Sequence, residues 1–562
     1  MHYFSRMDRE TDLSAATGTT QIAPVTVRHF RQTVLWPLQL MPLKPGVQVQ
    51  RHWEALETLG PDSPWAEVID EFFCDPADFQ ERHYKEFITF LPYVQRFLYG
   101  SNVGQEASQR HGEPSLRVFR RSDVARVRLT YDDGVSVTFE VAHVDLYFFL
   151  DADIAILAVE LHANDLPLDR VQDTLFRFGR AYPAYWDRNG QGGNCARRVE
   201  WLARDERVLA VSDYDLKQKY LMHVARYRTP CIAAHWEYLL KPLVLEYPGQ
   251  TGPLRYRQLE YYRMPFMAYL AVDDPLQFSR ADFVRLALVT RPAERDVLPY
   301  SARSLQGFEA EYCDDRFWDR SGESFSGDTR LLCTGQVLVV VGRQSDYFFA
   351  GRETGMLGQF RHQYFLLFLI AHFHKAALLS MSDELAVAMN RLEVGDTESV
   401  RQFKRSIRAA MEIFLRFTHR YWFHELSNQA IARSIYRRLT EQLGTEALYD
   451  EVRAEVEDMN EYLDTDSVRR QANTLLRLTV VTIFGLIGTV ATGFLGMNLI
   501  AEAERPLAWR VFAFVVILVG TAAVTLITIV KSKRLADFLD ALSDERVTWR
   551  DKWRAFIQTW TS

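Results

Sequence analysis

Two uncharged apolar runs near the C-terminus constrain this chain more than any other feature. No charged side chain occurs between Leu478 and Ala501, and none between Val511 and Val530. At about 1.5 Å per helical residue the runs reach roughly 36 and 30 Å, enough to cross a hydrocarbon core of about 30 Å. Arg469, Arg470 and Arg477 precede the first run, and Lys531, Lys533 and Arg534 follow the second. Basic residues at both outer ends predict two spans with both termini in the cytoplasm. They also argue against two buried core helices. The intervening loop, 499–510, then faces the other side of the membrane.

The rest of the chain reads as soluble. It has 562 residues, 48% of them hydrophobic, and a mean hydropathy of −0.18. That is more than one small domain needs for its core. A net charge of −7 gives no support to nucleic-acid binding. The five cysteines (Cys74, Cys195, Cys231, Cys313 and Cys333) are dispersed without a CxxC pair, a usage that suits a reducing compartment. The N-terminus lacks an apolar run and carries Asp8, Glu10 and Asp12, against a secretory or mitochondrial leader. The soluble region is expected in the cytosol and the spans in the inner (plasma) membrane.

Residues 1–24 are polar and read as disordered, and 25–350 as an α/β domain. Within it, 127–131 and 135–141 alternate around Asp133-Gly134, a hairpin signal. Residues 154–161 read as a buried strand, 168–180 as the following helix, and 265–272 and 335–341 as weaker strands. Residues 248–253 and 321–328 read as loops. Residues 351–444 read as long helices, one over 357–392 and one over 396–443. Gly444 suits a helix C-terminus and Thr445 can cap a new start. From 445 a stalk helix to 477 continues into the first span, 478–498; the second span covers 511–530 and a basic, Trp-bearing tail 531–562. The apolar run 364–371 is short and flanked by basic residues, which favours a core helix over a third span.

Several constellations carry no chemistry. His424-Glu425 begins a zinc-protease pattern, but Asn428 stands where the second histidine belongs. His372 and His374 point to different sides of a helix and read as structural. No pair of acids can be assigned to acid–base work, and nothing nominates an enzyme. Residues 446–466 hold nine carboxylates against the single Arg453. Two readings fit them: a solvated stalk face, or a cluster that senses divalent cations, for which oxygen ligands are suited.

On the first span, Gly493, Thr489, Leu486, Thr482, Leu478 and Leu475 recur at steps of three and four. They form one face, small and hydroxylic toward the outer end and leucine-rich toward the cytosol. Such a face suits a conduit whose leucines gate by dewetting. Gly485, Thr489 and Gly493 equally suit tight helix packing. Gly496-Met497-Asn498 closes the span, where a pore helix would leave the membrane.

Two C-terminal spans, a Gly-Met-Asn closing the first, a short outer loop, a basic cluster after the second and a long acidic helix leading in together resemble the CorA magnesium channel family. ZntB zinc transporters and mitochondrial magnesium channels share the arrangement. The resemblance covers 357–534. It implies a funnel-shaped homopentamer with a cytosolic α/β domain, a helical stalk and a pore lined by the first span. Gly496, Met497 and Asn498 would form the selectivity filter, with Asn498 hydrogen-bonding the water shell of Mg²⁺. Thr489 and Gly493 would line the conduit, Leu478 and Leu486 would constrict it, and Leu475 would stand at its inner end. Glu502 and Glu504 would attract cations at the mouth. Glu457, Asp458, Glu461 and Asp464 would be the regulatory acids. No tightly bound cofactor is expected; Mg²⁺ is cargo and regulatory ligand, and the partners are the lipid bilayer and further copies of the chain. Carriage of Zn²⁺, Co²⁺ or Ni²⁺, proton-coupled in the ZntB manner, and a membrane-tethered sensor or scaffold are the alternatives. The soluble region is longer than in typical members, and so is the tail with Trp549, Trp553 and Trp560.

Overall fold

The computed structural model describes residues 25–43, 51–60, 63–68, 80–100, 115–150, 152–247, 252, 254–259, 263–291, 297–319, 328–393, 396–496 and 506–509, together with 511, 512, 515, 516, 519, 520, 522 and 523. The expected disorder of 1–24 and the tail 531–562 lie outside them, as does most of the two loops at 248–253 and 321–328. The chain divides into two compact units: 1–393 with 408–452, and 394–407 with 453–562.

The first unit is built on one sheet, in which fourteen strands join among the described residues. Its central strand, Thr26–Leu40, runs antiparallel to Ile154–Pro167 along its length, from Thr26 opposite Pro167 to Gln39 opposite Ile154. On its other side it pairs first with Phe266–Val272 and then with Leu254–Gln258. Pro37 lies at that change of partner, between Val34 opposite Phe266 and Leu38 opposite Gln258. A proline is tolerated there because a missing N–H matters least where a ladder is interrupted. This strand was not anticipated: Arg28, His29, Arg31, Gln32 and Pro37 obscure its alternation.

The expected hairpin is present as Arg126–Thr130 and Ser136–Phe149. Gly134 adopts φ +82°, and its N–H donates to the Tyr131 carbonyl at 3.0 Å. The Asp133 carboxylate accepts from the Val135 N–H at 3.0 Å. This conformation is the one glycine adopts without a Cβ penalty. The strand predicted at 154–161 extends to Pro167 and leads directly into the helix Leu168–Arg177. Phe266–Val272 and Val337–Arg343 pair in parallel near one end of the sheet.

Alternation along the strands gives the sheet two covered faces. Phe30, Trp36, Leu157 and Val159 join one core with Val171 and Leu175 of the following helix. On the other face Tyr147 and Phe149 meet Phe365 and Phe373 of the helix Phe365–Asn390, the latter pair stacked at 3.9 Å and 7°. A short helix, Met356–Gln359, and a π turn, Phe360–Tyr364, lead into it. Met356–Asn390 is, among the described residues, the one helix long and apolar enough to cross a membrane, and 78% of its apolar window is buried inside the protein. Leu367, Phe368, Leu369, Ile370 and Phe373 are fully buried. A span facing lipid would show an exposed apolar side, so this is a core helix, as the flanking charges predicted.

The single helix expected over 396–443 is two, Thr397–Arg420 and Ala430–Leu443. Tyr421, Phe423 and Leu426 between them are buried, Trp422 stacks on Tyr449 at 4.5 Å, and Ser427 Oγ donates to the Thr89 carbonyl at 2.5 Å. Tertiary packing of this aromatic connection outweighs helix propensity. Gly444 ends the second helix at φ +65°. Thr445 does not cap the next by its side chain: it is the first helical residue, and its hydroxyl donates to the Thr440 carbonyl at 3.3 Å.

One half-buried acid gives the unit a pH dependence. Glu384 accepts from Gln39 Nε2 at 3.3 Å, and burial, with Asp153 nearby, pushes its carboxyl up to about 7. The folded state therefore keeps a proton that the unfolded state releases from about pH 4.5 upward, so stability falls across pH 4.5–7 and stays lower above it. Glu384→Gln is expected to stabilise the unit by about 1–3 kcal/mol at pH 8 and negligibly at pH 4, read by denaturant unfolding at both. Equal effects at the two pH values would contradict the assignment.

Candidate functional site

The expected conduit residues lie on one continuous helix, Thr445–Gly496. Its first turns carry a half-buried to buried stripe, Leu448, Val452, Val456, Met459 and Leu463, while Asp450, Glu451, Glu457, Asp458 and Glu461 are exposed. Arg453 reaches Glu457 one turn on, at 3.5 Å. Phe403 packs edge-on to Tyr462 in the second unit. Asp464 follows on the same helix. The expected regulatory acids thus share a helix, and no group of three His, Cys, Asp or Glu able to hold a metal forms within one chain among the described residues.

Farther along, Leu475, Leu478, Thr482, Leu486, Thr489 and Gly493 are all exposed in the single chain, the three leucines by 61–63%. Burying one leucine is worth about 1.5–3 kcal/mol, so a row of them left open is an apolar face of the kind that interaction surfaces present. A Cβ added at Gly485 or Gly493 would meet nothing within 4 Å among the described residues. Close packing among the described residues therefore does not account for either glycine.

The threonines on this helix share a hydrogen-bond pattern. Thr479 donates to the Leu475 carbonyl at 2.9 Å, Thr482 to Leu478 at 2.8 Å, and Thr489 to Gly485 at 2.9 Å. Each hydroxyl gives its only proton to the backbone one turn earlier, so its oxygen can act further only as an acceptor. Thr479 was not among the expected residues, although it stands four after Leu475 and borders the same face.

Gly496 is the last residue of the helix. Met497, Asn498, Glu502 and Glu504 lie outside the described residues. Beyond them, Leu507, Trp509, Val511, Phe512, Val515, Val516 and Val519 are 45–75% exposed. The Trp509 N–H donates to the Pro506 carbonyl at 2.9 Å, and its ring lies 5.7 Å from Phe512. Apolar side chains bare on both segments are what lipid or neighbouring apolar helices solvate.

The histidines of the core helix stand apart from this chemistry. Burial pushes both His372 and His374 down to about 3. His374 spans the Tyr421 carbonyl at 2.5 Å and the Tyr436 hydroxyl at 3.1 Å. It is a neutral packing residue.

Residues 389–534 match the family model described as CorA-like Mg²⁺ transporter protein. Over that segment the chain is similar to CorA-like transporters. No curated protein and no solved structure matches the chain. The CorA-like segment starts at Met389, at the end of the core helix, where the resemblance read from the sequence began at Leu357. It takes in the helix Thr445–Gly496 and both apolar runs, and it leaves out the sheet. CorA-like proteins are membrane-embedded transporters, not enzymes.

Proposed function

We propose that this protein conducts divalent metal cations, Mg²⁺ foremost, through a homopentameric pore in the inner membrane with both termini in the cytoplasm. The observation that carries the reading is the open face of the Thr445–Gly496 helix within a CorA-like segment. One helix cannot enclose a conduit, so several copies must, and a face of leucine and threonine left bare by its own chain is suited to that purpose.

The chemistry fits a hydrated cation. Mg²⁺ releases its water reluctantly and presents water protons outward. Thr482 offers an acceptor oxygen because its own proton is committed to the backbone. At the outer end Asn498 of Gly496-Met497-Asn498 supplies, once from each subunit, the amide that selects the hydrated ion, with Glu502 and Glu504 raising the local cation concentration. Toward the cytosol Leu478 and Leu486 form apolar constrictions that exclude water in the closed state, with Leu475 at the inner end. Glu457, Asp458, Glu461 and Asp464 supply the cytosolic cation sites, with ligands drawn from adjacent subunits.

The constriction is directly testable. Leu478→Ser replaces a water-excluding side chain in every subunit and is expected to raise basal Mg²⁺ flux by roughly tenfold. Dye-reported influx into proteoliposomes reads it. Flux no higher than that of the parent protein, with assembly intact, would remove Leu478 from the gate.

A further inference from the structure

The sheet face beneath the core helix carries a cleft that transport does not use. Strand register builds it: Arg31 lies opposite Tyr269 on one neighbour and His162 on the other, and His29 lies opposite Asn164. Arg352 and Arg361, at the start of the core helix, complete its wall. The cleft holds about 530 Å³, within the usual size of small-molecule sites.

Its charges do not balance. At the rim Arg28 is held by Asp165 at 3.0 Å and Asp273 at 2.7 Å. Deeper, Arg31 pairs with Glu160, and Arg361 lies 3.6 Å from the same carboxylate. One acid thus serves two guanidinium groups. Arg352 adds a third, exposed and without an ion-pair partner among the described residues. Burial first, and the Arg31 guanidinium second, push His162 down to about 4; burial likewise lowers His29. Both rings are neutral near pH 7, so the positive excess belongs to the arginines. His162 Nδ1 is buried without a hydrogen-bond partner among the described residues, a costly state unless something else engages it, while the contact of Arg361 Nε with Glu160, at 3.6 Å, is too long for a hydrogen bond.

The backbone fixes these groups. Arg361 sits in the π turn Phe360–Tyr364, a local widening that recurs at functional sites. Arg352 sits in a turn packed on glycines. A Cβ at Gly355 would lie 2.7 Å from Gly351 N and from the Tyr347 carbonyl, and one at Gly358 would lie 2.6 Å from the Arg352 carbonyl. No other residue fits those positions without moving the turn.

We propose that this cleft binds a small phosphate-bearing anion, gripped by Arg352 and Arg361 with Arg31 behind them. The planar guanidinium fork matches phosphate oxygens two at a time, and a multiply charged anion neutralises the excess that Glu160 leaves. The lining offers little apolar surface beyond Leu357 and Ala350, so the ligand is compact and oxygen-rich. This site stands independently of the transport reading.

Isothermal titration of the full chain in detergent, with pyrophosphate as probe and inorganic phosphate and citrate as comparators, tests it. Pyrophosphate is expected to bind, more tightly than citrate. Arg352→Gln, at an exposed position, is expected to weaken it by about tenfold or more with thermal unfolding unchanged, and Arg361→Gln similarly. Arg28→Gln, whose charge is already held by two acids, is expected to change it less than about threefold. Absence of pyrophosphate binding, tighter binding of citrate, or binding indifferent to Arg352→Gln would each overturn the proposal.

Discussion

Asn498→Ala is expected to abolish divalent-cation uptake while leaving the chain folded and assembled. The residue stands two positions after Gly496, the last residue of the helix, and in the proposed pore its amide is the group offered to the ion's water shell. Each lost hydrogen bond is worth about 1 kcal/mol. The variant removes one from every subunit at once, so flux falls by about a hundredfold or more. Rescue of a magnesium-transport-deficient strain reads the loss, with membrane expression and oligomer size checked alongside. Uptake equal to that of the parent protein would take the filter role away from Asn498.

Phe373→Ala is expected to destabilise the first unit by about 3–5 kcal/mol, the usual range for removing a buried aromatic ring. Phe373 is fully buried, stacks on Phe149 at 3.9 Å, and meets Phe417 and Tyr421 edge-on. The same substitution on a lipid-facing helix would scarcely move the stability of a soluble domain. Denaturant unfolding of the full chain in detergent therefore also tests whether Met356–Asn390 is a core helix. A loss below about 1 kcal/mol would contradict its place between sheet and aromatic connection.

What the sequence discloses follows from how local each signal is. The Asp133-Gly134 turn, the strand from Ile154 and the stop at Gly444 are set by a few adjacent residues, and they are legible. The central strand Thr26–Leu40 is not, because its charged residues face a cleft and its proline sits where one partner gives way to another. Both reasons depend on strands far away in the chain. The break after Arg420 is hidden for a similar cause: no Gly or Pro marks it, and Trp422 leaves the helical path to stack on Tyr449. On the helix Thr445–Gly496, spacing alone selected the Leu475–Gly493 face, but the orientation of the threonine hydroxyls required the backbone carbonyls one turn earlier. The arginine cleft was invisible in the sequence, since Arg31 and Arg361 come from opposite ends of the soluble region and meet only through the sheet.

The central claim is conduction of divalent cations. Purified protein in liposomes, with influx of Mg²⁺, Zn²⁺, Co²⁺ and Ni²⁺ compared at several pH values, tests it most directly. Mg²⁺ influx down its gradient is expected, faster than that of the transition metals, without a requirement for a proton gradient, and lost in Asn498→Ala. Liposomes that contain the assembled protein yet pass none of the four ions above the empty-vesicle rate would contradict it.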